Sequence, residues 1–269
     1  MRIDLYAFCW NDADMLPFFF RHYDRFVTRY FIYDEDSTDA SLSILHNHPS
    51  VEVRSFVRVD PASFALSEQA LSNECWKARR GVADWVIVTD IDEHLYHPDL
   101  FTLLTRYKAL GMTFIPALGY QMISEQFPSP SEMLCETRTQ GAPRLGMCKA
   151  SLFDPMAIDE INYSHGRHVA APTGNVKLPL QDELLLLHYK YLGFEHTLAR
   201  HRQLRSGLGT KDIANGWGQQ YSWSEAQLRD NWNVFAEKAV DVRKRACSPD
   251  RDYPLTLWWA DFRSRSTSE

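Results

Sequence analysis

The chain has 269 residues, 45% hydrophobic and 24% charged, a composition typical of a globular protein rather than a disordered one. Its 29 basic and 35 acidic residues give a net charge of −6, which argues against a general nucleic-acid binder because such proteins usually carry a basic excess. No stretch approaches the roughly 20 apolar residues that span a bilayer. The first residues include Asp4 and lack the long apolar region of a signal peptide.

The cysteine usage favours a reducing compartment. The five cysteines are odd in number, and no two of them have the Cys-x-x-Cys spacing. We therefore expect a cytoplasmic protein whose thiols are reduced and act as small buried hydrophobic side chains. These residues are Cys9, Cys75, Cys135, Cys148 and Cys247.

The first quarter of the chain alternates between strand and helix patterns. Apolar residues 3–9 predict a buried strand, followed by a helix that Asp14 would cap and that has Pro17 in its first turn. A second strand over 29–33, a short helix over 40–47 and a third strand over 51–56 follow. This β-α-β-α-β order predicts an α/β fold with a mainly parallel sheet flanked by helices.

The rest of the chain continues with less regular spacing. We predict a helix over 67–81 capped by Ser67, an apolar strand over 85–89, and loops over 128–143 and 161–174. Further strands are predicted over 112–118, 148–153 and 184–189, and helices over 194–204 and 224–242. The C-terminal region is therefore expected to be helical.

Two aspartates directly follow the strongest predicted strand. In the segment Thr89-Asp90-Ile91-Asp92-Glu93, alternation along an extended chain would place Asp90 and Asp92 on one side. Ligands of open α/β sheets bind at the carboxyl ends of the strands, and two carboxylates there suit Mg²⁺ or Mn²⁺ shared with substrate phosphates. The structural alternative is a pair of turn or capping acids.

A second acidic segment, 34–39, follows the second predicted strand. Carboxylates at such a strand end can accept hydrogen bonds from ribose hydroxyls or a base, and Asp34 and Asp36 are the best placed. The alternative is that the segment only caps the next helix through Ser37 or Thr38. Both interpretations can hold together.

Basic and histidine side chains could complete a phosphate or metal site. His188 ends an apolar run and could ligate a metal, while Lys190, two residues on, would share its face and meet a diphosphate. His168 lies in a polar loop that could touch the sugar, the acceptor or the metal. Lys77 ends a predicted helix, where a solvated basic cluster is the alternative to phosphate binding.

Several common motifs are absent from the sequence. There is no G-x-x-x-x-G-K-[ST] phosphate loop and no G-x-G-x-x-G turn, which argues against P-loop nucleotidases and dinucleotide oxidoreductases. There is also no G-x-S-x-G nucleophile elbow of a serine hydrolase.

The acidic and histidine segments together resemble family 2-like and family 92-like glycosyltransferases of the GT-A fold. The resemblance covers about residues 3–205, and the Asp90-Ile91-Asp92-Glu93 segment is its most specific part because it is similar to the Asp-x-Asp motif of that fold. We accordingly expect a GT-A domain over 1–205 and a helical extension over 206–269 packed on it. The segments that carry the resemblance are 33–39, 84–93, 166–168 and 187–191.

This resemblance implies a hexosyltransferase-like enzyme that uses a nucleoside-diphosphate sugar and Mn²⁺ or Mg²⁺. It implies metal contacts for three residues, Asp90, Asp92 and His188. Together with the basic and histidine residues considered above, it gives six predicted donor contacts, Asp34, Asp36, Lys77, Asp90, His168 and Lys190. A catalytic base is also expected, and the sequence leaves four acids open, Glu125, Asp159, Glu160 and Asp182.

The acceptor would be a glycan or a lipid-linked oligosaccharide, for instance in surface polysaccharide synthesis. Any membrane contact would be peripheral, at the inner face of the membrane, with Trp258 and Trp259 as one candidate surface and core packing as the alternative. Two other functions stay open: a nucleotidyltransferase, although the loop after the first strand is neither Gly-rich nor basic, and a non-catalytic carbohydrate-binding protein.

Overall fold

A computed structural model describes residues 1–244, 253 and 256–266 of the chain, with side chains described as far as residue 263. The strands are β1 (Ile3–Cys9), β2 (Arg29–Asp34), β3 (Val51–Ser55), β4 (Trp85–Asp90), β5 (Glu93–Tyr96), β6 (Phe114–Ser124), β7 (Gln140–Pro143), β8 (Lys149–Phe153), β9 (Ile158–Glu160), β10 (Thr173–Gly174), β11 (Leu185–Leu192) and β12 (Val240–Asp241). The helices are α1 (Leu16–Tyr23), α2 (Ser41–Asn47), α3 (Phe64–Glu74), α4 (Leu100–Ala109), α5 (Leu134–Thr137), α6 (Phe194–Gly207), α7 (Thr210–Ala214), α8 (Glu225–Lys238) and α9 (Ala260–Ser266).

One mixed sheet organises the part of the chain that the structure describes. Its order is β12-β7-β6-β8-β4-β1-β2-β3, with β11 paired to β5 and β6. Pairing is parallel from β4 through β1 and β2 to β3, and between β6 and β11, while β8 and β7 run antiparallel to their neighbours. Most paired residues belong to the parallel ladders, so the predicted α/β class with a mixed, mainly parallel sheet is confirmed.

The parallel strands end level with one another. Cys9 at the end of β1 is opposite Asp34 at the end of β2, and Phe8 is opposite Asp90 at the end of β4. These strands are nearly continuous in apolar residues because both of their faces are covered. Their polar ends therefore meet at one edge of the sheet.

Helices flank this sheet, as the alternating pattern predicts. Helix α2 contacts β3, α6 contacts β11, and α8 contacts β6 and β7. A small apolar cluster ties the C-terminal helices to the sheet, with the Trp232 ring stacked on Tyr191 at a centroid distance of 5.3 Å. Burying each such large side chain contributes about 1.5–3 kcal/mol to folding.

Two predicted helix starts are wrong for identifiable reasons. The helix predicted over 67–81 begins at Phe64, because Ser63 accepts the hydrogen bond of the Leu66 N–H while Ser67 is buried and donates back to the Ser63 carbonyl. This helix stops at Glu74 and is followed by a 3₁₀ turn over Lys77–Arg79. Asp14 does not cap α1, whose first residue is Leu16.

Other predicted bounds move by a few residues. The strand predicted over 112–118 is β6, which continues to Ser124, and the predicted loop 128–143 contains α5 and β7. The predicted domain boundary at residue 205 falls within α6, and after it the buried carboxylate of Asp212 accepts hydrogen bonds from Ser63 and Phe64 at the start of α3.

Trp259 packs inside the molecule and Trp258 is partly buried against the same core, as the core-packing alternative predicts. The Trp259 ring is buried and its N–H donates to Asp182 at 3.2 Å, while the Trp258 N–H donates to the Cys148 carbonyl at 2.9 Å. Among the described residues, no helix is long and apolar enough to cross a membrane.

Four cysteines confirm the prediction of buried, unpaired thiols; the fifth, Cys247, lies outside the described residues. The buried four are Cys9, Cys75, Cys135 and Cys148.

Candidate functional site

A cavity of about 340 Å³ opens at the edge of the sheet where the parallel strands end. Residues that follow β1, β2 and β4 form one part of its wall, and residues of β11, α6 and α8 form another. This is the edge at which open α/β sheets bind their ligands. The cavity is therefore the candidate active site.

A compact group of charged side chains forms the centre of the wall, and we call it the central charge cluster. It contains Glu68 of α3, Asp90 at the end of β4, Glu93 at the start of β5, Lys149 at the start of β8, and Arg167. Four of these side chains are almost completely buried, and Asp90 is 38% exposed. Three carboxylates thus face two cations in a protected environment.

Arg167 joins the members of the central charge cluster. One guanidinium nitrogen, Nη1, forms an ion pair with Glu68, and Nη2 lies 2.8 Å from Asp90 and 3.3 Å from Glu93. The Lys149 ammonium is 2.5 Å from Glu93 and 4.0 Å from Asp90. Every charge in the cluster therefore has an opposite charge within ion-pair distance.

Asp90 at the end of β4 and Glu93 at the start of β5 differ in their pKa values. Burial raises the pKa of Asp90 above its ordinary value. Burial also acts to raise the pKa of Glu93, but Lys149 and Arg167 outweigh it and lower that pKa. Glu93 is therefore the firmly ionised partner of both cations.

The second motif aspartate has a different partner. The chain turns after Asp90, and Asp92 approaches His188 of β11, with its Oδ2 3.4 Å from Nε2 of the ring. The side chain of Asp92 is 28% exposed toward the cavity and that of His188 is 8% exposed. Asp90 and Asp92 both line the cavity, but β4 ends at Asp90 and the two carboxylates have different partners.

Gln121 of β6 determines how the His188 ring is oriented. The Gln121 amide nitrogen donates to the carbonyls of Met122 and His188, so its oxygen Oε1 is left to accept from Nδ1 of the His188 ring at 2.8 Å. A donating Nδ1–H leaves Nε2 with its lone pair directed at the Asp92 carboxylate. Burial lowers the pKa of His188, which favours this neutral ring.

Asp92 is an ionised carboxylate. Burial acts to raise its pKa, but a proton shared with His188 and the cations Lys190 and Arg200 outweigh it and lower the pKa well below its usual range; a metal bound between the two side chains would take the place of that proton. A lone pair and a carboxylate that face each other across 3.4 Å suit a cation that both can contact.

These two residues fit a divalent metal whose other ligands come from outside the protein. Within the described residues, no group of three His, Cys, Asp or Glu side chains could hold a metal alone. Mg²⁺ in particular is commonly held by one or two protein ligands together with substrate phosphates and water. A ring nitrogen oriented by a second residue is also the usual arrangement for a metal-binding histidine.

The part of the wall beside β1 and β2, which we call the first end of the cavity, is partly aromatic. Tyr33, Phe56 and Phe64 line it together with the carboxylate of Glu35, which pairs with Arg58. A planar apolar surface with a few polar groups is the usual lining of a small-molecule site.

The acidic segment after β2 mainly shapes this wall. Oδ2 of Asp34 accepts the Ser37 N–H at 2.9 Å, which is the capping role considered above, and Asp34 is not part of the cavity lining. Asp36 is exposed, has a φ of +49°, and lines a shallow depression beside the cavity. Of this segment, Glu35 is the residue that reaches the cavity.

Asp12, in the loop after β1, is tied to α6. Its Oδ1 lies 2.5 Å from Arg200, and the same guanidinium donates to the carbonyls of Trp10 and Asn11 at 3.0 and 2.9 Å. Burial raises the pKa of Asp12 to about 6 despite this partner. The contact closes the cavity wall between β1 and α6.

The other part of the wall, which we call the far end of the cavity, lies beside β11, α6 and α8. Lys190 reaches it and donates to the Tyr221 hydroxyl at 2.7 Å, and Arg144 and His201 also line it. Trp223 lines the cavity as well, whereas Trp217 stacks on His165 at a centroid distance of 4.7 Å.

The structure brings five of the predicted site residues to the cavity and leaves the others elsewhere. Lys77 pairs with Glu74 and Glu160 on another surface, and Asp182 holds Arg263 and Trp259 near the C-terminal end. Glu125 is exposed beyond β6, and Asp159 and Glu160 are exposed on β9. The five residues at the cavity are Asp90, Asp92, His168, His188 and Lys190.

Sequence reasoning missed the residues that hold the site in shape. Asp12 follows a buried strand and could have been found by the argument used for Asp34. No local pattern marks four further residues, which come from helices, a strand and a loop far apart in the chain: Glu68, Gln121, Arg144 and Arg200.

Comparisons with known proteins give only remote matches. No family model and no curated protein matches the chain. Staphylococcus aureus TarS aligns with a TM-score of 0.34 and 11% identity over 58% of this chain, which spans only 28% of TarS. Its segment 1–349 gives a TM-score of 0.39 at 10% identity, covering 99% of this chain and 79% of that one.

A third match is the Mycobacterium tuberculosis glucosyl-3-phosphoglycerate synthase, in complex with Mn²⁺, UDP and glucosyl-3-phosphoglycerate. It aligns with a TM-score of 0.32 and 17% identity over 44% of each chain. Similarity this remote assigns neither a family nor an activity to this protein.

Proposed function

We propose that this protein is a metal-dependent glycosyltransferase of the GT-A type that takes its sugar from a nucleoside diphosphate. The observation that carries the proposal is the Asp92–His188 pair, in which an ionised carboxylate and the free lone pair of a ring nitrogen face each other at 3.4 Å. The pair lies on a cavity at the carboxyl edge of a parallel sheet, next to Lys190, whose side-chain hydrogen bond within the described residues goes to the uncharged Tyr221 hydroxyl.

The incomplete ligand set favours a diphosphate. Asp92 and His188 supply two ligands for Mn²⁺ or Mg²⁺, and both metals readily take phosphate oxygens for further positions. When bound, the metal would supply Lewis-acid stabilisation of the negative charge on the departing diphosphate. Lys190 adds a positive charge two residues from His188 and suits the same role.

The nucleoside would occupy the first end of the cavity. Tyr33 and Phe8 offer aromatic surface there, and the carboxylate of Glu35 suits a hydroxyl or base N–H. This placement replaces the contacts predicted for Asp34 and Asp36 with a contact to the residue between them. Lys77 has no part in it, because it lies outside the cavity.

The central charge cluster would support the site without binding the metal. Asp90, predicted as a metal ligand, is held at 2.8 Å by Arg167 and is better described as the exposed member of that cluster. Its position next to Asp92 still allows contact with the donor ribose, as the resemblance implies. The transferred sugar would then lie between the Asp92–His188 pair and the far end, where a glycan or lipid-linked acceptor would bind.

Calorimetric titration of nucleoside diphosphates with and without Mn²⁺ tests this proposal. UDP, GDP, CDP and ADP are compared, and one of them should bind in a Mn²⁺-dependent manner. Asp92→Asn should weaken that binding at least about tenfold, because it removes a charged ligand. Asp99→Asn is the matched control, since Asp99 caps α4 away from the cavity and asparagine caps equally well.

Two results would overturn the proposal. One is Mn²⁺-dependent binding in Asp92→Asn with the wild-type affinity; the other is no binding of any nucleoside diphosphate at saturating Mn²⁺. Product analysis then separates the neighbouring functions. A glycosyltransferase releases a nucleoside diphosphate, a nucleotidyltransferase forms pyrophosphate, and a non-catalytic binding protein forms neither.

A further inference from the structure

The far end of the cavity contains two cations that have no carboxylate partner. Within the described residues, no acid lies within 4 Å of the Arg144 guanidinium or the Lys190 ammonium. The other cations of the cavity differ: Lys149 pairs with Glu93 and Arg200 pairs with Asp12. The far end is therefore the part of the cavity where positive charge is left uncompensated.

Arg144 is only partly satisfied by its neighbours. Its Nη1 donates to Oε1 of Gln121 at 2.8 Å, and its guanidinium lies 5.5 Å from the centre of the Phe235 ring. Burial lowers the pKa of Arg144, which measures the cost of keeping this charge away from water. A guanidinium presents five donors, and within the described residues one of them, on Nη1, has a side-chain acceptor, which leaves the others free to bind an anion in the cavity.

His201 of α6 is an independent indication of a ligand at the same place. It lines the cavity and is 96% buried; the Gln220 carbonyl lies near the ring, but neither ring nitrogen makes a hydrogen bond of normal geometry within the described residues. The Lys190 and Arg144 charges both act on its ring. Buried polar atoms are almost always satisfied, so an unsatisfied imidazole on a cavity wall suggests a partner that binds there.

The order of the sheet places this group across the metal pair from the first end. Tyr33 lies in β2 and Glu35 directly follows this strand near one edge, whereas Arg144 follows β7 near the other. Gln121 hydrogen-bonds both Arg144 and His188, so only one side chain separates Arg144 from the metal pair. A nucleoside diphosphate seated beside β1 and β2 would leave the far end to the acceptor.

We infer that the far end is an anion subsite, formed by Arg144 and His201, that binds a phosphate or carboxylate group of the acceptor, with Lys190 left to the donor diphosphate. This inference rests on the proposed function, because it takes the first end as the donor site. Arginine forks match the oxygen atoms of both anions, and a neutral imidazole adds one hydrogen bond. The preferred acceptor would accordingly be a phosphorylated or acidic glycan or a lipid-linked phosphate, rather than a neutral sugar.

Titration with inorganic phosphate, and separately with acetate, tests the subsite in the full-length protein. Each anion is added with and without saturating Mn²⁺ and the nucleoside diphosphate that binds. Phosphate should bind in both states, and Arg144→Gln should weaken it about 10- to 100-fold while the nucleoside-diphosphate affinity stays within twofold. Comparison with acetate tells whether the subsite favours phosphate or carboxylate.

Two further variants keep the test decisive. Arg106→Gln, which removes an exposed arginine of α4, is the matched control and should leave anion binding unchanged. Arg144→Lys retains the charge but not the fork, and an intermediate affinity would separate a binding defect from a folding defect.

Three outcomes would overturn the inference. Absence of phosphate and acetate binding in a wild-type protein that binds its nucleoside diphosphate would remove the subsite. Loss of phosphate and nucleoside-diphosphate binding together in Arg144→Gln would assign Arg144 to the donor. If no nucleoside diphosphate binds the wild type, the proposed function itself fails, and phosphate binding that depends on Arg144 would then mark an anion site without an acceptor role.

Discussion

The central charge cluster and the far end of the cavity are both rich in charge, yet they are built differently. In the cluster, Glu93 has Lys149 at 2.5 Å and Arg167 at 3.3 Å, so positive and negative groups satisfy one another. At the far end, Arg144 and Lys190 have only uncharged partners among the described residues. The comparison suggests that charges paired within the protein stabilise the fold, whereas cations without an acidic partner on a cavity wall are available to bind an anionic ligand.

The largest effect should come from breaking the central charge cluster. Arg167→Met leaves the Glu68 and Glu93 carboxylates buried without this partner, and we expect a loss of about 3–5 kcal/mol in the free energy of unfolding. Urea denaturation measures it. Arg106→Met breaks the exposed pair with Glu183 and should cost only about 0–1 kcal/mol. Equal losses in the two variants would mean that the cluster contributes no more than a surface ion pair.

A smaller but more specific effect is expected from Gln121, which connects the metal pair to the far end. Gln121→Leu removes the oxygen that orients His188, and Mn²⁺ affinity in the presence of the nucleoside diphosphate should fall about 10- to 100-fold. Calorimetric titration measures this affinity. Gln121→Glu keeps an acceptor oxygen for Nδ1 but sets a carboxylate oxygen against the Met122 and His188 carbonyls, so it should recover only part of the affinity; an equal loss in both variants would show that this oxygen does not orient the ring.

The smallest effect concerns His201 and the pH dependence of stability. Burial, followed by the Lys190 charge, lowers its pKa to about 4, so the neutral ring contributes stability above pH 6.5 that is lost as the pH falls from 6.5 through 4. The nearby Gln220 carbonyl offsets only part of this shift. Between pH 7 and pH 5 the wild type should therefore lose about 2 kcal/mol more than His201→Phe.

Denaturant unfolding of both proteins at the two pH values checks this prediction. Parallel pH dependence in the wild type and in His201→Phe would show that the ring is already charged or solvated in the folded protein. That result would also weaken the contrast between the two regions, since a solvated far end needs no ligand to satisfy it.

Local sequence patterns predicted the strands that carry the site, because the apolar pattern of a buried strand is visible within a few consecutive residues. The apolar run 85–89 and the acids after it located β4 and the cavity edge correctly, as did the run that ends at His188. The capping of α3 was harder to predict, since Ser63 and Ser67 have the same chemistry and are both buried, and only the hydrogen bonds of the folded chain distinguish them.

The four candidate bases show where local reasoning stops. Asp182 is an acidic residue in a polar segment, as a catalytic base would be, but its carboxylate accepts hydrogen bonds from Trp259 and Arg263 near the C-terminus. Glu125 and Glu160 follow or belong to strands whose ends lie away from the cavity. Strand direction and sheet order decide which strand ends meet, and neither is visible in a segment taken alone.

The sequence by itself therefore determined the α/β class, the parallel strands, and the acids and histidine that end them, because period and composition act over a few residues. Only the tertiary structure decided which charges are paired. Arg167 meets Glu68 across 99 positions and Arg200 meets Asp12 across 188. Ion pairing depends on distance in space rather than along the chain, and so the division between a compensated cluster and an uncompensated far end appears only once the chain is folded.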